Sequence, residues 1–457
     1  MPKWLEELLP ILILLGVIGV VVWRLPKVEL GHTAAFRRRR VLNWLPLGLS
    51  YAFLYMGRYN LIVAKDALGM NPDDFGTIKA VGTIVYGLSF IVNGPLTDRI
   101  GGRKTMLICI AGTVVMNAAM GMYLLAGPEQ HLVLAYSLLY GVNMYFQSFG
   151  AVSIVKVNAQ WFHLRERGTF GGIFGILISL GIYFAFDWGS LIVKNAPIPW
   201  VFFVPALILG VFFVLDYFLV FDSPSDVGLG ELETGDAKWE GDAGTVGVAR
   251  VARMMLTNPV ILVIGAIELC SGFLRSALMD WYTGFAKFTK LTSFVSDHWG
   301  MMQCVAGILG GMVAGMLSDM LFKSRRGPMS GILYGILVLG GVAMALGLTT
   351  PALGPIVTVM MLSIIGVHGM LSGTASMDFG GKKNVGVAVG IIDGLVYLGQ
   401  GGQVLLLGQL LPKDAARADP ANWSAWPLVM IPAAAVGFLL ALRLWNARPK
   451  GQHAPAH

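Results

Sequence analysis

Two arginines interrupt long apolar runs at depths where a charge is costly. Arg58 and Arg275 each lie about 17 residues into a predicted helix. At ~1.5 Å of helical rise per residue, each is ~25 Å from the basic or polar end of its run. A charge at such depth in a membrane costs at least ~2.5 kcal/mol, so it is kept where it faces a cavity and has a partner. A guanidinium binds phosphate or carboxylate through paired hydrogen bonds. We therefore expect this pair, named here the arginine clamp, to bind an anion across a central cavity, with a phosphate monoester as the best fit.

An internal ion pair is the alternative for Arg275. Glu268 lies seven residues earlier on the same helical face, and Asp280 lies five residues later. The acid nearest to Arg58 is Asp66, toward the end of the run. In the functional interpretation, Glu268 or Asp280 neutralises a clamp arginine when no anion is bound, so both are predicted to act as coupling or charge-switch residues.

The composition is that of a polytopic helical membrane protein. Hydrophobic residues make up 56% of the chain and charged residues 13%, and the mean hydropathy is +0.69. The net charge of +7 does not indicate nucleic-acid binding, because the basic residues lie in loops. Cys109, Cys270 and Cys304 lie in apolar runs and are predicted to be buried small residues, without a disulfide or a metal site. We expect no cofactor, a small anion as ligand, and the lipid bilayer as surroundings.

Thirteen apolar runs are candidate helices. They are 8–23, 42–64, 78–97, 105–126, 131–156, 168–190, 199–221, 259–281, 299–321, 329–348, 352–376, 385–411 and 425–445. The first run is additional to two sets of six. A signal peptide is its alternative, but the flank with Lys3, Glu6 and Glu7 is not the basic region that a signal peptide requires. We predict a retained N-terminal transmembrane helix.

Lysine and arginine are distributed unevenly between the two sides of this topology. Twenty-two lie on one side and seven on the other, and the richer side is predicted to be cytoplasmic. The C-terminus is then cytoplasmic and the N-terminus external, in what we expect to be the inner membrane of a bacterium, as a monomer. The other four are the clamp arginines, Lys79 and Lys156. Both lysines lie close enough to a helix end to be predicted to snorkel to the interface.

One long polar segment divides the chain into two halves. Residues 222–258 contain seven acids, are rich in glycine and lack apolar periodicity, which predicts a cytoplasmic linker. The predicted domains are 1–41 (extra helix and basic loop), 42–221 (six-helix bundle), 222–258 (linker), 259–445 (six-helix bundle) and 446–457 (cytoplasmic tail). Two bundles joined in this way are typical of transporters whose binding site lies between two repeats.

A charged, glycine-rich stretch occurs in both halves. The first copy runs from Gly94 to Lys104 and includes Asp98, Arg99 and Arg103. A degraded copy runs from Gly315 to Asp319 and is followed by Lys323, Arg325 and Arg326. Basic residues would hold such a loop on the cytoplasmic side, and Asp98 can pair with a basic or helix-end partner. The stretch resembles the loop signature between helices 2 and 3 of the major facilitator superfamily. The resemblance implies an all-α fold of two six-helix bundles, here with one extra N-terminal helix, in which this motif acts in conformational change.

Within that superfamily the chain resembles the organophosphate:phosphate antiporters, which include glycerol-3-phosphate and hexose-6-phosphate transporters, over roughly 42–445. The segments that carry the resemblance are Gly57-Arg58-Tyr59-Asn60, Tyr86-Gly87-Leu88-Ser89, Phe146-Gln147, Glu166-Arg167-Gly168, Leu274-Arg275, Asp280-Trp281, Gly307-Ile308-Leu309-Gly310, Lys382-Lys383 and Tyr397-Leu398-Gly399. The resemblance implies that Arg58 and Arg275 bind the phosphate group. Further candidate substrate contacts, with helix packing as the alternative role, are Tyr59, Tyr86, Gln147 and Tyr397.

The chain departs from the family pattern around the clamp. Tyr59 stands where the family often has lysine, Phe90 stands where a basic residue is common, and Ile178-Ser179 replaces a His-Asn pair. The cationic shell is therefore thinner. Fewer basic side chains around the clamp favour a monoanion, a carboxylate or a bulkier, more apolar phosphate ester over the usual sugar phosphates. His368 is predicted to be hydrogen-bonded between helices rather than to act as a proton relay.

The sequence predicts a transporter and not an enzyme, because it contains no Walker motif, dinucleotide fingerprint or plausible catalytic triad. The predicted function is secondary active transport of a small organic anion by alternating access, with a phosphate ester exchanged for inorganic phosphate as the best-supported case. Two alternatives remain. One is proton-coupled efflux of drug-like or siderophore-like compounds, with Glu268 as the proton carrier. The other is a membrane-embedded organophosphate sensor without transport.

Overall fold

The computed structural model describes most of the chain. The backbone is described for residues 3–24, 31–127, 131–163, 167–234, 253, 257, 259–322 and 326–445. Side chains are not described for 3–10, 21, 22, 24, 167–174, 319 and 372–389. The predicted tail, most of the predicted linker, Glu166, and the side chains of Asp319, Lys382 and Lys383 therefore lie outside the described part.

Helices build the first half. They are α1 (Lys3–Arg24), α2 (Ala34–Leu54), α3 (Met56–Ala64), α4 (Pro72–Ile100), α5 (Gly102–Leu125), α6 (Leu132–Trp161), α7 (Arg167–Tyr183), α8 (Gly189–Asn195) and α9 (Trp200–Leu219). A five-residue π-helical segment, Phe184–Trp188, joins α7 to α8 within the predicted run 168–190.

The second half repeats this plan. Its helices are α10 (Pro259–Thr289), α11 (Phe294–Asp297), α12 (Trp299–Phe322), α13 (Arg326–Leu346), α14 (Leu353–Leu410) and α15 (Ala425–Arg443). Eleven segments of the described chain are long and apolar enough to cross a membrane, and α14 contains two of them, Leu353–Leu371 and Gly390–Leu410. With the α2–α3 pair they make the two predicted sets of six, and α1 is additional. The predicted all-α membrane fold is confirmed.

The first helix of the predicted bundle differs from the single run expected over 42–64. It begins at Ala34, where the Thr33 hydroxyl accepts a hydrogen bond from the Phe36 N–H at 3.2 Å, and it is interrupted at Tyr55. The Tyr55 N–H bonds to the Ala52 carbonyl, three residues back, at 3.2 Å. Such a tightened turn within a helix often marks a functional region. The interruption lies three residues before Arg58.

The predicted runs 352–376 and 385–411 correspond to the two membrane-length spans of α14, Leu353–Leu371 and Gly390–Leu410. Helical backbone continues through the residues between them. A Cβ atom on Gly354 would lie 3.0 Å from Val295, and one on Gly408 would lie 2.9 Å from the Pro72 carbonyl oxygen. Both ends of α14 therefore lie at the same end of the bundle, and its two spans run in opposite directions.

The charged motif between the predicted runs 78–97 and 105–126 forms a shorter turn than its sequence suggests. α4 continues through Gly94 and Asp98 to Ile100, and α5 begins at Gly102, so Gly101 forms the connection. Its φ is +100°, and a Cβ atom there would lie 2.8 Å from Asp222 Oδ2, so glycine is required. Asp222 also accepts a hydrogen bond from the Arg103 N–H at 2.8 Å.

The two halves meet closely along α4 and the Gly390–Leu410 part of α14. A Cβ atom on Gly87 would lie 2.8 Å from the Gly394 carbonyl oxygen, and one on Gly408 would lie 2.9 Å from the Pro72 carbonyl oxygen. Small residues let helix backbones approach in lipid, where apolar surface gives no net attraction. This contact brings Tyr86 of α4 beside Tyr397 of α14, with ring centroids 4.1 Å apart.

The additional helix packs against both halves. Leu14 of α1 is 4% exposed and lies in an apolar cluster with Ile176 of α7 and with Met301, Cys304 and Ile308 of α12. α7 belongs to the first half and α12 to the second. The extra helix predicted over 8–23 thus covers a seam between the two bundles.

Candidate functional site

Arg58 is fully buried and held by residues from both halves. Its Nε donates to Gln147 Oε1 at 2.9 Å, and its Nη1 donates to the Tyr397 hydroxyl at 2.8 Å. The guanidinium carbon lies 4.6 Å from the ring centroid of Tyr86 and 4.8 Å from that of Tyr55. Rings that face a cation stabilise it through their quadrupoles. The guanidinium is therefore fixed in one orientation, with Nη2 left without a partner among the described residues.

The backbone around Arg58 is fixed by side chains of α6. The Tyr140 hydroxyl donates to the Arg58 carbonyl, and Asn143 Nδ2 donates to the Gly57 carbonyl, both at 2.9 Å. These bonds satisfy carbonyl groups beside the interruption of the helix at Tyr55. Neither Tyr140 nor Asn143 was predicted as a site residue. In the sequence, the only indication of their role was a polar side chain inside an apolar run.

Arg275 of α10 faces the same region from the second half. It is 7% exposed and lies within electrostatic range of Arg58, Tyr59 and Tyr397. Its Nε is buried and has no hydrogen-bond partner in the described part of the chain. The two clamp arginines are thus brought together, and neither is paired with a described carboxylate.

Unpartnered hydrogen-bond donors surround the clamp. The buried atoms without a described partner include Arg58 Nη2, Arg275 Nε, Gln147 Nε2, the Tyr59 hydroxyl and the Tyr86 hydroxyl. Each of them carries a hydrogen to donate, and the arginine and amide nitrogens cannot accept one. A buried donor without an acceptor costs about 1–3 kcal/mol. A ligand made of acceptor oxygens would satisfy this set, whereas a cation would not.

The candidate switch carboxylates have other partners. Glu268 is fully buried, and its Oε2 lies 2.9 Å from Nδ1 of His368 on α14. The predicted hydrogen bond of His368 between helices is therefore present. Asp280 is bound to Lys79 of α4 by an ion pair. The internal ion pair considered for Arg275 thus does not form with either carboxylate.

The Lys79–Asp280 ion pair corrects one prediction. Lys79 was expected to snorkel to the interface, but its side chain is 2% exposed and that of Asp280 is 0% exposed. Ser276 Oγ donates to the second carboxylate oxygen, and Lys65 Nζ donates to the Asp280 carbonyl. Lys79 stays inside because Asp280, which lies on α10 in the other half, compensates for its charge. The pair therefore joins the two bundles.

Further polar contacts join the halves at the same end. This end of the bundle, named here the distal end, contains the connections at 65–71, 290–298 and 411–424. Asp187 of the π-helical segment accepts hydrogen bonds from the N–H groups of Gly300 and Met301, at 2.9 and 3.0 Å. Arg417 donates to Asn71 Oδ1 at 2.6 Å. Asp187 was not predicted as a site residue. In the sequence, the only indication of its role was an acid within an apolar run.

The charges of the α4–α5 motif lie at the opposite, linker end. Asp98 and Lys156 form an ion pair at 2.8 Å within the first half, so Asp98 has the basic partner that its position suggested. Lys156 was expected to snorkel freely and is instead 18% exposed against this carboxylate. The Arg103 guanidinium lies 4.8 Å from the ring centroid of Phe221, and Arg99 is exposed.

Comparison with known proteins agrees with this architecture. The family model described as Major Facilitator Superfamily matches residues 47–402. The chain is 26% identical over 452 residues to the glycerol-3-phosphate transporter of Bacillus subtilis (strain 168), covering 92% of this chain and 95% of that protein. It is also 26% identical over 455 residues to the membrane sensor protein UhpC of Escherichia coli (strain K12), covering 92% and 95%.

The fold has counterparts among solved structures. A bacterial homolog of the human lysosomal transporter Spinster matches with a TM-score of 0.69 at 13% identity, covering 93% of this chain and 100% of that one. At this identity the match shows the fold. The matched family and relatives are transport proteins and a sensor rather than enzymes, as the sequence predicted. The predicted likeness to organophosphate transporters is confirmed.

Proposed function

Because the chain belongs to the Major Facilitator Superfamily, we propose that it is a secondary transporter that exchanges a phosphate ester for inorganic phosphate by alternating access. The observation that carries this proposal is the set of buried, unpartnered donors around Arg58 and Arg275. Two guanidinium groups and neighbouring hydroxyl and amide donors suit a tetrahedral anion with several acceptor oxygens. The relative named as a glycerol-3-phosphate transporter supports the same ligand class.

The site favours an ester with an apolar organic part. Aromatic rings of Tyr55, Tyr86, Phe90 and Tyr397 surround the Arg58 side, and Phe90 stands close to Tyr397 with ring centroids 6.1 Å apart. The described residues next to the clamp add no third basic side chain that contacts Arg58. A ligand with one or two negative charges and an apolar body would match two arginines inside an aromatic wall.

Exchange follows from the way the clamp would bind its ligand. The donors are arranged around a phosphate group, so inorganic phosphate and the phosphate end of an ester would compete for the same atoms. Without an anion, neither Arg58 nor Arg275 forms an ion pair with a described carboxylate. Movement of the two halves should therefore be faster with an anion bound, which is the condition for exchange.

The distal contacts would form the closed gate of this transport cycle. Lys79 with Asp280, and Asp187 with the start of α12, join the halves at the distal end. From the distribution of lysine and arginine we place this end outside and the linker end, with the C-terminus, in the cytoplasm of a bacterium. The N-terminus, preceding α1, would be external. We propose a monomeric carrier in the inner membrane, and we assign Asp280 to the gate.

A sensor without transport is the second candidate, supported by the likeness to UhpC. Such a protein would keep the clamp and bind the ester, but would not carry it. Reconstitution separates the two functions. Proteoliposomes loaded with inorganic phosphate should take up labelled phosphate or glycerol 3-phosphate faster than liposomes without internal phosphate. Binding in detergent without any uptake in proteoliposomes would favour the sensor.

A further inference from the structure

A second pair of titratable side chains lies in the second half, near the clamp. Nδ1 of His368 is 2.9 Å from Oε2 of Glu268. The side chain of Glu268 is fully buried, whereas that of His368 is 26% exposed. The pair therefore connects a buried carboxylate to a partly exposed imidazole.

The hydrogen bonding of the pair leaves room for one more proton. The bond to Glu268 uses Nδ1 of His368 and leaves Nε2 to take up a proton. Oε1 of Glu268 is buried and has no hydrogen-bond partner among the described residues. A carboxylate with one oxygen unsatisfied in a buried site is stabilised by an imidazolium more strongly than by a neutral imidazole.

Charged and titratable groups reach the pair from α10, α13 and α14; α12, which also packs against α14, has no charged side chain among its described residues. On α10, Arg275 shares a face with Glu268 two helical turns away. On α13, the Tyr334 hydroxyl donates to the Ile267 carbonyl at 2.6 Å, and Cys270 and Glu268 lie within its electrostatic range. His368 on α14 lies within electrostatic range of Asp393 on the same helix and of Arg275 on α10. The clamp and the pair are thus electrostatically linked through Arg275.

We propose that the Glu268–His368 pair binds one proton when an anion occupies the clamp and releases it when the anion leaves. This inference rests on the proposed function. Without an anion, the negative charge of Glu268 offsets part of the charge of Arg58 and Arg275. A bound anion takes over that role, so the pair then binds a proton from solvent at Nε2 of His368, giving an imidazolium–carboxylate pair without net charge.

Proton binding and anion binding would be linked. Linkage is reciprocal, so a proton on the pair strengthens anion binding by the same factor by which the anion strengthens proton binding. One proton would move with each anion through the cycle. In one-for-one exchange the protons carried in the two directions cancel, so the pH on each side would set the anion affinity on that side and would not drive the exchange.

Calorimetry of inorganic phosphate binding to the purified full-length protein tests this linkage. Titrations at one pH, in two buffers with different ionisation enthalpies, give the number of protons taken up per phosphate bound. They are repeated at pH 6, 7 and 8 for the parent, Glu268→Gln and His368→Gln. The ionisation of phosphate itself is the same in all three proteins and cancels in the comparison. At the pH where the difference is largest, each variant should take up fewer protons per phosphate than the parent, by at most about one.

Ser363→Ala is the matched control, because it removes a buried polar group from the same helix. Its hydroxyl donates to the Val359 carbonyl at 2.9 Å and does not contact the pair. This variant should take up as many protons as the parent. Equal proton uptake by the parent and His368→Gln, both binding phosphate, would overturn the inference and leave the proposed function intact. Failure of the folded parent to bind phosphate would instead contradict the proposed function itself.

Discussion

Lys79 of α4 and Asp280 of α10 form an ion pair that joins the two halves of the protein in its interior. The lysine side chain is 2% exposed and the aspartate side chain 0%. Removing one member of a buried pair typically costs about 3–5 kcal/mol, because the other charge stays buried without compensation. Opening of the distal end must separate the pair, so its strength should control how often that end opens.

We expect Asp280→Asn to shift the protein toward conformations with an open distal end, because the Lys79 ammonium is then more stable when it reaches water. The measurement is the labelling rate of Gly284→Cys, which lines the distal end beside Trp281, by a membrane-impermeant thiol reagent. Labelling should be several-fold faster in the Asp280→Asn background. The three native cysteines are buried and should contribute little signal.

Asp73 and Lys413 provide the matched control for this experiment. They form an ion pair across the same interface at 2.7 Å, but both side chains are 43% exposed. An exposed pair contributes about 0–1 kcal/mol, so Asp73→Asn should change the labelling rate little. Combining Lys79→Gln with Asp280→Asn should restore slow labelling. If Asp280→Asn labels at the parent rate, the ion pair does not hold the distal end closed.

We expect Tyr397→Phe to weaken phosphate binding about tenfold or more. Its hydroxyl accepts a hydrogen bond from Arg58 Nη1 at 2.8 Å, and a bond to a charged group contributes about 1.5–3 kcal/mol. Without it the guanidinium can rotate away from the orientation that presents Nη2. The dissociation constant for inorganic phosphate, measured by calorimetry, tests this.

Tyr136→Phe makes the same chemical change at a distance from the clamp. That hydroxyl donates to the Met120 carbonyl at 3.1 Å, so its loss should lower thermal stability but leave the dissociation constant unchanged. Equal phosphate affinity in Tyr397→Phe and the parent would show that the Arg58 orientation does not depend on Tyr397.

The predicted orientation is tested by tags at the two termini. A tag before Met1 should be accessible to an antibody on intact spheroplasts, and a tag after His457 only after permeabilisation, because 22 of the lysines and arginines lie on the predicted cytoplasmic side. Detection of both tags after permeabilisation is the control for expression. Accessibility of both tags on the same side would mean that α1 does not span the membrane, and loss of the tag before Met1 would mean that α1 is removed.

Features that depend on one helix could be predicted from the sequence. Continuous apolar runs gave the helices, because a bilayer requires about 20 apolar residues per span. Arg58 and Arg275 were identifiable because a charge inside such a run is costly. The interruption at Tyr55 was not, since no proline lies there to mark it.

Features that depend on two distant helices could not be predicted. Lys79 and Asp280 are 201 residues apart, and nothing in either run specifies the other as its partner. The sequence therefore placed Lys79 at the interface and left Asp280 as a candidate partner of Arg275. Similarly, the pairing of Glu268 with His368 depends on how α10 and α14 pack, which apolar periodicity does not determine.

Arg58 and Arg275 are proposed to bind the transported anion through planar guanidinium groups. The decisive measurement is phosphate counterflow into proteoliposomes that contain the parent, Arg58→Lys or Arg275→Lys. Both variants keep the positive charge but lose the paired donors. Thermal unfolding of each purified variant verifies that it is folded. Folded Arg58→Lys and Arg275→Lys should each lose most of the uptake seen with the parent; near-parent uptake by both variants would show that anion transport does not depend on these guanidinium groups.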